Sequence, residues 1–144
     1  AQRIQKHQER RPNHWHTVEE PRCLDEVLQN WSHQPSVILV DGIGTWVTNL
    51  IYDEDWQPGS TWSQGREQAC LDRAKDFIAC WQKLSGALIM VADEVGMGIV
   101  PEYPDARVFR DLNGRFNQML AAAADQVYFV VAGIAWPIKG GEAR

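Results

Sequence analysis

Three short apolar runs, built mainly from β-branched and large aliphatic residues, recur along the chain: SVILV at 36–40, ALIMVA at 87–92 and QVYFVVA at 126–132. None shows the polar alternation of a strand with one wet face, so each reads as a strand buried on both faces. Stretches of helical periodicity lie before and between them. Leu24, Val27, Leu28 and Trp31 form one stripe behind Pro21, and Ile43, Val47, Leu50 and Ile51 form another. Cys70, Ala74, Phe77, Ile78, Trp81 and Leu84 make the longest, closed by Ser85-Gly86, and Leu112, Phe116, Met119, Leu120 and Ala123 make the last. Apolar residues three and four apart share one helix face. Strands alternating with helices specify an α/β fold, a mainly parallel sheet with helices on both faces. Such sheets take ligands beyond the carboxyl ends of their strands, where Asp41 and the 93–98 loop fall.

The remaining segments are less regular. Residues 2–10 are polar and free of Gly and Pro, which suits a short exposed helix ended by Pro12. HWHTVE at 14–19 alternates enough for a short strand. The acidic 52–63 segment carries Pro58 and Gly59 and reads as a loop, 94–104 as a glycine-bearing loop, and 133–144 as a tail, 135–144 most clearly.

At 144 residues with 44% apolar and 23% charged side chains, the chain is expected to form one domain, 1–144, with a real core. Its net charge of −5 argues against a nucleic-acid or membrane-surface binder, which would want a basic face. No apolar run approaches the roughly 20 residues of a membrane span. The first eleven residues carry Arg3, Lys6, Arg10 and Arg11 and no apolar stretch, unlike a signal peptide. Cys23, Cys70 and Cys80 include no Cys-x-x-Cys pair and suggest neither a disulfide framework nor a zinc site, so a reducing cytoplasm is expected.

Three places could carry chemistry. In VILVDG (37–42) an apolar strand delivers a carboxylate at its tip, the pattern of the magnesium-coordinating acid in nucleotide enzymes; an ordinary Asp-Gly turn reads the same way. The phosphate cradle that would complete such a site, G-x-x-x-x-G-K-S/T, is absent from the sequence. Gly96-Met97-Gly98 follows a strand, but Pro101 stands where a dinucleotide fingerprint needs its third glycine, so a tight turn fits better. On a helix, Arg3, His7, Arg10 and Arg11 share a face. A neutral imidazole flanked by guanidiniums is competent to attack phosphorus, and the same residues also suit a solvated basic face.

Four stretches resemble the bifunctional adenosylcobinamide kinase / adenosylcobinamide-phosphate guanylyltransferase family of cobalamin biosynthesis. They are RIQKHQERRPNHWHTVEEP (3–21), VILVDGIGTWVTNLI (37–51), DEVGMGIVPEYPDARVFRD (93–111) and GRFNQMLAAAADQVYFVVAGI (114–134). The resemblance implies a P-loop, RecA-like fold assembled as a homotrimer. It implies a kinase acting on adenosylcobinamide with ATP or another nucleoside triphosphate, and transfer of GMP from GTP to adenosylcobinamide phosphate through a guanylyl-histidine. It places that histidine at His7, the guanine-nucleotide contacts at Gln8, Glu9, Arg10, Arg11 and Glu19, and the strand-tip acid, near Mg²⁺, at Asp41.

The sequence departs from the family pattern in places. Lys6 stands where members often carry a second histidine, Asp93 stands where the loop usually begins with Asn, and the tail AWPIKGGEAR leaves the pattern. The family's amino-terminal strand, P-loop and first helix would lie ahead of Ala1, so either a longer protein that has lost its start or a protein lacking that part is expected. The alternative from a different class is a non-catalytic remnant that binds a guanine nucleotide or a partner subunit.

Overall fold

A computed structural model describes residues 11–53 and 61–140. Its elements run α1 (Leu24–Trp31), β1 (Val37–Asp41), α2 (Ile43–Ile51), α3 (Gln64–Trp81), β2 (Ala87–Val91), α4 (Pro104–Ala123), β3 (Val127–Val131) and β4 (Ile134–Lys139). The alternation of strands and helices is the expected α/β order. The polar helix expected at 2–10 lies outside the described residues.

Local chemistry marks three of the helix starts. Ser63 caps α3, its hydroxyl accepting from the Arg66 amide at 3.2 Å. Pro104 opens α4, where its missing N–H and fixed φ cost nothing. Ahead of α1, Glu20 Oε1 accepts from the amides of Arg22 and Cys23, both at 2.8 Å. Those two bonds, the Cys23 one first, hold the Glu20 carboxyl below its ordinary range.

The apolar stripes converge on one side chain. Trp46, on α2, is buried between Phe77 of α3 and Phe116 of α4, with ring centroids 5.2 Å and 5.4 Å away. Its indole Nε1 donates to the Arg22 carbonyl at 2.9 Å, which ties the entry to α1 to the same centre. Around it pack Leu28, Val47, Ile51, Ala74 and Leu112. Arg73 of α3 binds Asp25 of α1 at 2.5 Å and also donates to the Arg22 carbonyl, so the charge that α1 turns inward is matched by α3.

The strands β1 and β2 pair in parallel, with Val37 opposite Ala87 and Asp41 opposite Val91. Ile38, Val40, Leu88 and Met90 pack against the core. The other face is open among the described residues: Val37 is 71% exposed and Ile89 53%, with Leu39 and Val91 beside them. Among the described residues the expected helices cover one of the two faces. An apolar run records what a strand can bury, and cannot show whether a layer lies on each side.

Two readings need correction. Residues 14–19 form no strand. Trp15 N–H turns back to the Pro12 carbonyl at 2.9 Å, and the His16 ring packs at 5.5 Å from that of Trp31. The supposed tail contains β4, which pairs antiparallel with β3. The two are joined through Ala132 (φ 52°) and Gly133 (φ 79°), the left-handed pair of a two-residue hairpin turn. Lys139 Nζ donates to the carbonyls of Ala121 and Ala122 and fastens this hairpin to the end of α4.

Three measurements check this account. Trp46→Ala should lower the unfolding free energy by about 3–5 kcal/mol in denaturant titrations. Ala132→Asn, a residue that tolerates positive φ, should raise it by about 0.5–1 kcal/mol. Glu20 has a depressed folded-state pKa, so its contribution is complete above the ordinary glutamate range and disappears as pH falls through the lower folded value. Wild type and Glu20→Gln should thus differ in thermal midpoint at pH 7, and the gap should close toward pH 3.

Candidate functional site

The strand tips of the parallel pair carry the first cluster. β1 ends at Asp41, exposed, and Gly42 (φ 98°) turns the chain directly into α2. Only a residue at ease in left-handed backbone makes that turn so short. One strand over, β2 ends just before Asp93. A Cβ added at Gly44 would lie 2.5 Å from Asp93 Oδ2, so the Asp93 carboxylate rests on the first turn of α2, at the positive end of its dipole.

One face of α4 fixes the loop that follows β2. Asn113 and Asn117 donate Nδ2 hydrogens to the Asp93 carbonyl at 2.7 Å and 3.0 Å. Arg110 donates to the Gly96 carbonyl at 2.7 Å, and Arg107 to the carbonyls of Pro101 (3.0 Å) and Glu102 (2.6 Å). Within the loop the Gly96 amide donates to Glu94 Oε1 at 2.6 Å. Asn113 is fully buried, and its Oδ1, the Oδ1 of Asn117 and one terminal nitrogen of Arg110 have no partner among the described residues. Sequence reasoning missed Arg110, Asn113 and Asn117 as supports. Their spacing of three and four was the available signal, because it puts them on one helix face.

The second cluster is a shallow concavity lined by Arg11, Pro12, Asn13, Trp15, Thr17 and Glu19. Arg11 donates to the Thr17 hydroxyl at 3.3 Å, and Trp15 is half exposed. Arg11 and Glu19, picked from sequence as nucleotide contacts, thus line one hollow, while Asp41 belongs to the strand tips. His7, Gln8, Glu9 and Arg10 lie outside the described residues.

Among the described residues no three His, Cys, Asp or Glu side chains gather into a metal cage. The exposed carboxylate of Asp41 is the hard oxygen donor that Mg²⁺ takes alongside water and phosphate oxygens. None of the described helices is long and apolar enough to cross a membrane.

A carboxylate at a parallel strand tip and a pinned loop on the next strand belong to an α/β protein, a class whose ligands bind at the carboxyl edge of the sheet. The chain is a member of the cobinamide kinase / cobinamide phosphate guanyltransferase family, whose model matches residues 1–138. It is 44% identical over 141 residues to the bifunctional adenosylcobalamin biosynthesis protein CobU of Escherichia coli, and the match spans 96% of this chain and 78% of that protein. The Salmonella typhimurium protein of the same name is 42% identical over 146 residues, with the same two shares. The Pseudomonas aeruginosa bifunctional adenosylcobalamin biosynthesis protein CobP is 35% identical over 140 residues, spanning 97% of this chain and 75% of its own. The chain therefore belongs to an enzyme family of cobalamin biosynthesis that carries both kinase and guanylyltransferase activities.

Two substitutions test the architecture of the strand tips. Asn113→Asp removes the donor to the Asp93 carbonyl and sets a buried carboxylate against it, and should cost about 1–3 kcal/mol of stability in urea unfolding. Gly44→Ala should displace the Asp93 carboxylate, seen as chemical-shift changes at 93–96, with a smaller loss.

Proposed function

We propose that the protein phosphorylates adenosylcobinamide and transfers GMP from GTP to adenosylcobinamide phosphate through a guanylyl-histidine at His7. The observation that carries this reading is the family match over 1–138, which takes in both the 3–21 segment and the strand tip at Asp41.

In the guanylyl transfer, a nitrogen of the His7 imidazole attacks the α-phosphorus of GTP. The α–β phosphoanhydride bond breaks and pyrophosphate leaves with its electron pair. A phosphate oxygen of adenosylcobinamide phosphate then attacks the same phosphorus, the P–N bond breaks, and His7 returns as free imidazole. Splitting the transfer this way replaces one displacement between two polyanions by two with a neutral nucleophile or leaving group. Gln8, Glu9, Arg10, Arg11 and Glu19 are assigned to nucleotide binding. The guanidiniums of Arg10 and Arg11 offset charge on the phosphate oxygens as it grows. In the kinase reaction the substrate hydroxyl oxygen attacks the γ-phosphorus of a nucleoside triphosphate, with loss of the diphosphate and of the hydroxyl proton.

Asp41 would hold Mg²⁺ carried on the nucleotide, directly or through a coordinated water. Bound there, the ion supplies charge neutralisation on the phosphates. The assembly is proposed to be a homotrimer.

Incubation with GTP and Mg²⁺ followed by intact-mass measurement tests the reading. One acid-labile GMP adduct is expected, absent in His7→Ala; an adduct that persists in that variant would falsify the site. Protein that binds GTP without ever forming an adduct favours a binding-only role. Asp41→Asn should slow adduct formation by about 10²-fold and flatten its magnesium dependence.

A further inference from the structure

The loop between β2 and α4 is tied down along its backbone while its apolar side chains stand in water. Met97 is 80% exposed, Ile99 96%, Val100 64% and Tyr103 74%. Exposed apolar side chains grouped this closely mark a contact surface. The group is also pre-set. Asn113 and Asn117 hold the loop at Asp93, Arg110 at Gly96, and Arg107 at Pro101 and Glu102. All the bonds run from α4 side chains to loop carbonyls, so they fix the backbone without covering the apolar side chains. Fixing a surface in advance lowers the ordering cost of binding to it.

Position and charge narrow the occupant. The loop starts at the carboxyl end of β2, on the strand that pairs Val91 with Asp41. It therefore leaves the sheet at the same edge as the strand-tip acid. It also carries Glu94 and Glu102, both exposed. GTP, a polyanion, matches neither the apolar side chains nor the carboxylates. Adenosylcobinamide matches both, because its corrin is a broad macrocycle with methyl-studded faces and the molecule carries a net positive charge.

We infer that the 97–103 loop is the platform on which the corrin ring of the substrate lies, with Ile99 and Val100 as its principal contacts. This rests on the cobinamide reading above. A second copy of this chain is the competing occupant, and the experiment separates the two.

Adenosylcobinamide binding is measured by equilibrium dialysis, read by the visible absorbance of the corrin, for wild type, Ile99→Leu and the double variant Ile99→Ser/Val100→Ser. Adduct formation from GTP and solution mass by light scattering are read on the same samples. The double variant should bind the corrinoid about tenfold more weakly, with adduct yield and mass unchanged, while Ile99→Leu should match wild type. Unchanged corrinoid affinity in the double variant overturns the platform. A reduced solution mass also overturns it, because the loop then serves contact between copies. Failure of the underlying reading has a different signature: wild type itself then neither binds corrinoid nor forms the adduct, and the platform falls with it.

Discussion

Trp46 is the point at which the helices are made to agree. Its ring sits between Phe77 and Phe116, and its Nε1–H reaches the carbonyl of Arg22. One side chain thereby fixes α2 against α3 and α4 and sets where the chain enters α1. A smaller aliphatic residue could fill part of that space, but it would leave the Arg22 carbonyl to Arg73 alone. Because α2 starts two residues after Asp41, the placement of α2 by Trp46 also sets the height at which that carboxylate stands.

The site inherits its order from this core. Leu112, Phe116 and Leu120 seat α4 on the apolar side. The neighbouring face of the same helix carries Arg110, Asn113 and Asn117, which grip the backbone after β2. Core and site are thus two faces of one helix, so a displacement of α4 moves the loop with it. Asp93 contributes in two directions, through its carbonyl toward α4 and through its carboxylate toward α2.

Much of this was legible in the sequence, for identifiable reasons. The runs at 36–40 and 87–92 stood out because apolar β-branched segments ended by Asp-Gly or Ala-Asp leave little room for another reading. Asp41 was legible as the first polar residue after such a run. The helix at 104–123 was read only from Leu112 onward, because Arg107 and Arg110 interrupt its first two turns, whose Val108 and Phe109 also pack on the core. β4 was hidden by Pro137 and by an Ala132-Gly133 turn in place of the commoner Asn-Gly. The apparent strand at 14–19 misled because its aromatic spacing serves ring packing on Trp31, which imitates a two-residue period. Asn113 and Asn117 looked like any polar helix face. Only the position of the Asp93 carbonyl separates a structural carboxamide from a solvated one.

The side of the β1–β2 ribbon left open among the described residues has a consequence for handling the molecule. Val37, Leu39, Ile89 and Val91 form a greasy strip on a ribbon that is two strands wide among the described residues. In concentrated solution such a strip recruits any extended peptide that can zip onto the rim, and two paired strands are too few to resist.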